Sequence, residues 1–116
     1  MSFSDIEPYL VPLFVGLVIG WRIVKFRRAR SLIPQLLAQG AVVVDVRSRE
    51  EFRQGARPGS LNIPVGELPS RLNELDPEKP TIVCCASGGR SGMAAGLLKS
   101  HGFKQVINAG PWRNTL

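Results

Sequence analysis

Reactive sulfur and imidazole are scarce in this chain: its 116 residues include two cysteines, Cys84 and Cys85, and one histidine, His101. Two consecutive thiols and a single imidazole cannot supply the four well-spaced ligands of a structural zinc site, so no metal is expected. Neighbouring Cα atoms lie about 3.8 Å apart, closer than in the usual bridged pair, so a disulfide between them is not expected either. Two free thiols suit a reducing compartment. Aromatic residues make up only 7% of the chain and are scattered, which leaves no stacking platform for nucleic acid. The sequence has no internal repeat and no low-complexity tract. Its length leaves room for one compact domain with a modest core.

Charge is plentiful but uneven. The net charge is +6, and five of the fifteen basic residues, Arg22, Lys25, Arg27, Arg28 and Arg30, fall in one short stretch. From residue 31 onward there are ten basic and seven acidic residues, an ordinary balance that offers no broad basic face to a nucleic acid.

The basic stretch follows an apolar one. PYLVPLFVGLVIGW, residues 8–21, has no charged side chain, and Ile23 and Val24 continue the run past Arg22. A helix over residues 8–24 would be roughly 25 Å long, slightly short of a bilayer's hydrocarbon core. Arg22 can snorkel, and Tyr9 and Trp21 stand where interfacial aromatics belong. Pro8 and Pro12 come early, where a helix loses little by lacking an amide donor. A signal peptide would carry positive charge before its apolar region and small residues after it, whereas Asp5 and Glu7 precede this one and WRIVKFRRAR follows. A buried core helix is not usually apolar all round in so small a protein. Residues 1–30 are therefore expected to be a transmembrane anchor with a basic juxtamembrane stretch, and residues 31–116 a separate domain. The positive flank places the short N-terminus outside and the domain on the cytoplasmic side.

Residues 31–116 alternate between helix and strand signals. Ser31 is expected to cap a helix through LIPQLLAQ, with Pro34 in its first turn and Gly40 ending it. AVVVDV, residues 41–46, is a β-branched run of the kind buried on both faces of a parallel sheet. SREEF begins a helix capped by Ser48, with Glu50 and Glu51 favoured by the helix dipole. SLNIP is a brief strand, ELPSRLNEL a helix, TIVCC a buried strand, SGMAAGLLKSHG a helix closed by Gly102, and KQVIN a last strand. The pattern predicts an α/β domain with a parallel sheet flanked by helices.

In such a domain, ligands bind at the carboxyl ends of the strands. VCCASGGRSG, residues 83–92, lies at one of those ends. Ala86, Ser87, Gly88 and Gly89 can turn their amides inward as an anion-holding nest. The helix beginning near Ser91 adds its positive end, and Arg90 a full charge. A cysteine at the centre should be a thiolate, with a pKa below the free value of about 8.5.

Several motifs occur in order here: D-x-R at Asp45 and Arg47, E-E-F at 50–52, P-G-S-x-N-I-P at 58–64, and C-x-S-G-x-R-S at 85–91. Together they resemble a rhodanese domain, the sulfurtransferase family, from about residue 32 to the end. The apolar segment in front resembles that of membrane-anchored single-domain members. The resemblance implies a rhodanese-like parallel sheet and a two-step transfer. A cysteine thiolate takes the outer sulfur of a small anionic donor such as thiosulfate, becoming a persulfide, and a thiol or protein acceptor then removes it. Matched position by position, the nucleophile is Cys85. The amides of residues 86–90, from Ala86 through Ser87, Gly88 and Gly89 to Arg90, would hold the persulfide charge, and Arg90 would orient the donor. Ser91 completes the loop, and no cofactor is expected.

Alternatives stay open at this point. Counted from Cys84, five residues precede Arg90, which is the spacing of cysteine-dependent phosphatases and arsenate reductases. Val83, however, stands where their histidine usually precedes the cysteine. On the Cys85 reading, Cys84 is a small buried residue ending the strand. A non-catalytic module presenting an anion-binding or partner-docking loop is the other alternative. Asp45 either reaches the loop amides or caps its own turn, and Arg47 either touches substrate or, the preferred reading, pairs with an acidic neighbour. Arg57 replaces an apolar residue common in the family, and Ala56 stands where many members have histidine. His101 reads as an exposed helix-end residue, and Trp112 as packed over the sheet edge or near the pocket mouth. Many members continue after NAGPW into another short helix.

Overall fold

The β-branched run and the cysteine strand form the middle of a four-stranded parallel sheet in a computed structural model that describes residues 2–116. The strands are β1 (Val42–Asp45), β2 (Leu61–Asn62), β3 (Thr81–Cys85) and β4 (Val106–Pro111), in the order β2-β1-β3-β4. Val42 to Asp45 pair with Thr81 to Cys84, so β1 and β3 have neighbours on both sides. All five residues of β3 are buried, as an apolar central strand of a parallel sheet requires.

Helices cover both faces. The pleat sends alternate side chains to opposite sides. Val83 and Cys85 join Ala94, Ala95 and Leu98 of α3 (Gly89–Ser100) in one core. Ile82 and Cys84 join Ile33 and Leu36 of α1 (Phe3–Ala38) in the other. The two adjacent cysteines therefore belong to different halves of the core.

The N-terminal helix differs from the sequence expectation. The apolar segment and the LIPQLLAQ helix form one uninterrupted helix of 36 residues, about 54 Å long at 1.5 Å per residue. Ser31 caps nothing; it lies inside the helix and its hydroxyl donates back to the Arg28 carbonyl at 2.8 Å. With the helix starting at Phe3, Pro12 and Pro34 also lie well inside it. An apolar 18-residue window at the N-terminal end is long enough to cross a membrane and is wholly unburied, whereas Ala29, Ile33 and Leu36 pack under the sheet. One helix thus serves both segments, because nothing between them both breaks the helix and offers a competing cap.

Two other elements depart from expectation. ELPSRLNEL forms two 3₁₀ turns, Leu68–Ser70 and Leu72–Glu74, rather than a helix. Pro69 stands in the first turn and Asn73 in the second, both weak in a helix interior, while Leu68 and Leu75 anchor the segment to the core. β4 runs past Asn108 to Pro111 and carries a register shift opposite Val83 and Cys84. Gly110 takes φ +74 there, the left-handed geometry that lets a bulged strand bend. The short helix α2 (Arg49–Arg53) starts where expected: the Ser48 hydroxyl accepts the Glu51 amide at 3.2 Å, and Glu51 returns to the Ser48 amide.

Candidate active site

β3 stops at Cys85 and α3 starts at Gly89, so residues 86–88 form a tight turn around the sulfur. Gly88 caps the helix with φ 108, a conformation that side chains rarely adopt. Its amide donates to Cys85 Sγ at 2.9 Å, and Ser91 Oγ lies 3.3 Å from the same sulfur. Burial works to push the Cys85 thiol up. The Ser91 hydroxyl and the amides of Ser91, Gly88 and Ser87 outweigh it, holding the thiol below the ordinary 9.0. The sulfur thus draws on Ser87, Gly88 and Ser91. Ala86, Ser87 and Gly89 are exposed small residues on the rim of the loop, while Cys85 itself is buried, with 1% of its surface exposed.

Cys84 has the opposite chemistry. Burial, and then the nearby Asp45 carboxylate, push its thiol up to about 12. It stays protonated at neutral pH on the far face of the sheet. The strand ends at Cys85, as the TIVCC run predicts, so Cys84 is its penultimate residue and not its last.

Arg90 is already engaged. Its guanidinium makes a two-pronged contact with Glu51, at 2.7 and 3.0 Å. The Arg90 bond, followed by the Ser48 amide, pulls the Glu51 carboxyl down to about 2. An anionic donor therefore meets an arginine whose charge a carboxylate already balances. In the sequence Glu51 reads as a dipole-favoured residue of the first helical turn and as part of the E-E-F motif. Its second role needs α2 and α3 to meet in space, a contact between residues 39 positions apart.

Asp45 and Arg47 lie beside the site and brace it. The Asp45 carboxylate accepts the Arg47 amide at 3.0 Å and its guanidinium at 2.7 Å, so Asp45 caps its own turn. Arg47 also donates to the Gly55 carbonyl at 2.7 Å and lies 5.0 Å from the Trp112 ring centre. Trp112 covers this buried ion pair. Arg57 donates to the Thr115 carbonyl, tying the loop after α2 to the C-terminal turn. Ala56 is half-buried, and His101 is exposed at the far end of α3, bonded through Nδ1 to the Leu97 carbonyl at 2.9 Å. Among the described residues no three His, Cys, Asp or Glu side chains form a group able to hold a metal ion.

Two further residues join the site. Asn108 Oδ1 accepts the Ser91 hydroxyl at 2.7 Å and the Gly110 amide at 2.9 Å, linking the β4 bulge to the loop. In the thiol state Cys85 can donate to Ser91, which donates on to Asn108; once the sulfur is a thiolate, the Ser91 hydroxyl can turn towards it. The other is Phe26 of α1, whose ring lies against two glycines. A Cβ on Gly88 would come within 2.7 Å of the Phe26 ring, and one on Gly110 within 2.8 Å. A polar residue in a buried strand was a legible hint for Asn108. For Phe26 the sequence carried none, since its partners are more than sixty positions away.

A parallel α/β sheet presenting a cysteine inside an amide-lined loop at a strand's carboxyl end defines a class of domain that handles anions or sulfur at that cysteine. The rhodanese-like domain family model matches residues 30–109, and the chain belongs to that family. Thiosulfate sulfurtransferase GlpE of Pseudomonas syringae pv. syringae is 34% identical over 84 residues, covering 69% of this chain and 79% of the relative. YibN of Escherichia coli, an uncharacterized protein, is 30% identical over 120 residues, covering 92% of this chain and 83% of its own. The solved structure of the human single-domain sulfurtransferase TSTD1 superposes with a TM-score of 0.60 at 38% identity, over 70% of this chain and 86% of that one. The chain spans less than two thirds of the length of other relatives: 37% of YrkF and 54% of YqhL, both of Bacillus subtilis, and 65% of a sulfurtransferase of Allochromatium vinosum.

Proposed function

We propose that this protein is a sulfurtransferase that carries one sulfane sulfur on Cys85. The observation that carries the reading is the Cys85 sulfur itself, accepting the Gly88 amide at 2.9 Å with its pKa held below that of an ordinary thiol. In the first step the Cys85 thiolate attacks the outer sulfur of a donor such as thiosulfate. The new S–S bond forms as the donor's S–S bond breaks, and sulfite leaves with the electron pair. In the second step a thiolate acceptor attacks the terminal sulfur of the persulfide and takes it, returning Cys85 as a thiolate. No net oxidant is needed. The Gly88 amide, 2.9 Å from the sulfur, with the Ser87 and Ser91 amides that help to lower its pKa, supplies donors for the negative charge in both states. The relatives named as sulfurtransferases support this reading.

Phosphatase chemistry at Cys84 is the weaker reading. That thiol is protonated and on the opposite face from the loop. A non-catalytic docking module would leave the acidified Cys85 without a use. We further read the N-terminal part of α1 as a single membrane span, with the domain on the cytoplasmic side. Its support is the unburied apolar window followed by five basic residues.

Single-turnover mass spectrometry tests the chemistry. Wild-type protein given thiosulfate is expected to gain one sulfur atom, which cyanide removes. Cys84→Ser should keep that behaviour and Cys85→Ser should lose it. The reverse pattern would refute the assignment, and no uptake from any donor would favour the docking module.

A further inference from the structure

A cleft of about 660 Å³ opens between α1 and α3 and is floored by Val106, Ile107 and Asn108 of β4, the last of which also holds Ser91 of the Cys85 loop. This is the size of small-molecule sites in general. Two features keep it open. On α3, Gly92 and Gly96 face it with no side chain, and a Cβ on Gly96 would meet nothing within 4 Å. On α1, Trp21, Lys25, Arg28 and Leu32 recur at helical spacing along one face.

The lining is divided in character. Trp21, Val24 and Leu32 supply an apolar wall, while Lys25 and Arg28 from α1 and Lys99 from α3 supply three cations. No lining residue is acidic. Among the described residues, none of the three cations forms an ion pair with a carboxylate. Three exposed positive charges with no acidic residue among the lining make the cleft complementary to an anion. The position is also telling. The apolar run ends at Val24 and the first α1 residue buried in the domain is Ala29, so the cleft spans the seam where a span would leave the bilayer. Lys25 stands 5.1 Å from the Trp21 ring centre, an aromatic and basic pair of the kind that marks a membrane interface.

We infer that this cleft holds the headgroup of an anionic phospholipid. The phosphate lies against Lys25, Arg28 and Lys99, and the acyl chains run along Trp21 and Val24 into the bilayer. The inference rests on the membrane-span reading above. It gives the juxtamembrane charges a specific ligand beyond their part in orientation, and it fixes α3, and with it the catalytic loop at its other end, against the membrane surface.

The test uses the full chain in equimolar phosphatidylcholine and phosphatidylglycerol vesicles. Vesicle flotation reads anchoring, and native mass spectrometry of the released protein counts retained lipid. Phosphatidylglycerol should be retained in preference. Lys25→Gln, Arg28→Gln and Lys99→Gln should each lower that preference about fivefold. Gly96→Leu, which fills the cleft and improves helix propensity, should abolish it. Flotation and persulfide formation should be unchanged in all four variants. Equal retention of both lipids, or retention indifferent to Gly96→Leu, overturns the inference while leaving the anchor standing. So does a dimer that fills the cleft and persists in pure phosphatidylcholine. A chain that floats with no vesicle brings down the span and the cleft together, with persulfide formation still judging the sulfurtransferase reading by itself.

Discussion

Hydrogen bonds to one sulfur decide the chemistry of Cys85, and the Ser91 hydroxyl is the strongest of those that lower its pKa. Thiolate is the reactive form, so the rate of persulfide formation should climb with pH through a midpoint below 9.0 and then level off. Ser91→Ala removes the hydroxyl but keeps the residue 91 amide, so the midpoint should move up. At neutral pH the first step should be roughly tenfold slower, and the deficit should close in alkaline buffer. Stopped-flow rates across pH check this; an unmoved midpoint would show that the amides alone acidify the thiol. The Arg90 and Glu51 pair has a different pH character. With Glu51 held near 2, the pair stays formed throughout the range in which Cys85 titrates, so it adds no second inflection. The motif identified Cys85 and Arg90 as neighbours in the loop, but the carboxylate facing Arg90 comes from another helix and was not legible.

At the scale of elements, α1 and the catalytic loop are mechanically joined. The Phe26 ring rests on Gly88 in the loop and Gly110 in the β4 bulge, and both glycines have positive φ. Phe26→Ala would leave a void beneath both. Since Phe26 is only half-buried, the expected loss of stability is about 2 kcal/mol, below the usual range for a fully buried phenylalanine. Denaturant unfolding measures it. Persulfide formation should slow by more than the unfolded fraction accounts for, and Phe26→Leu should restore most of it. The strands and α3 were legible because β-branched runs, glycine punctuation and spacing mark them locally. The two 3₁₀ turns and the β4 bulge were not, because each is set by what the segment must reach and not by its own periodicity.

Across the whole molecule, one long helix stretches the structure to 58 Å against 29 and 27 Å in the other directions. The proposed orientation places the domain on the cytoplasmic side. Protease added to sealed vesicles with that face outward should therefore digest residues after the span, and vesicles of the opposite sense should protect them. Protection in both would argue against a single span. Because α1 is continuous from the apolar window into the core, the domain should sit at a fixed height and tilt on the membrane, without a flexible tether. The expected boundary at residue 30 falls within this helix, between Ala29 and Ile33, both packed in the core.

The sequence by itself determined the class of fold, the succession of the four strands with α2 and α3, the family motifs and the charge asymmetry around the apolar run, all properties of local pattern. Only the tertiary structure decided which cysteine faces the loop, because that depends on which side of the pleat α1 and α3 come to cover. It likewise decided that Glu51 balances Arg90, that Asn108 and Phe26 brace the loop, and that three cations meet at one cleft. The Glu51, Asn108 and Phe26 contacts join residues distant in the chain, and only the packing of helices on the sheet brings such residues within a hydrogen bond or a van der Waals contact.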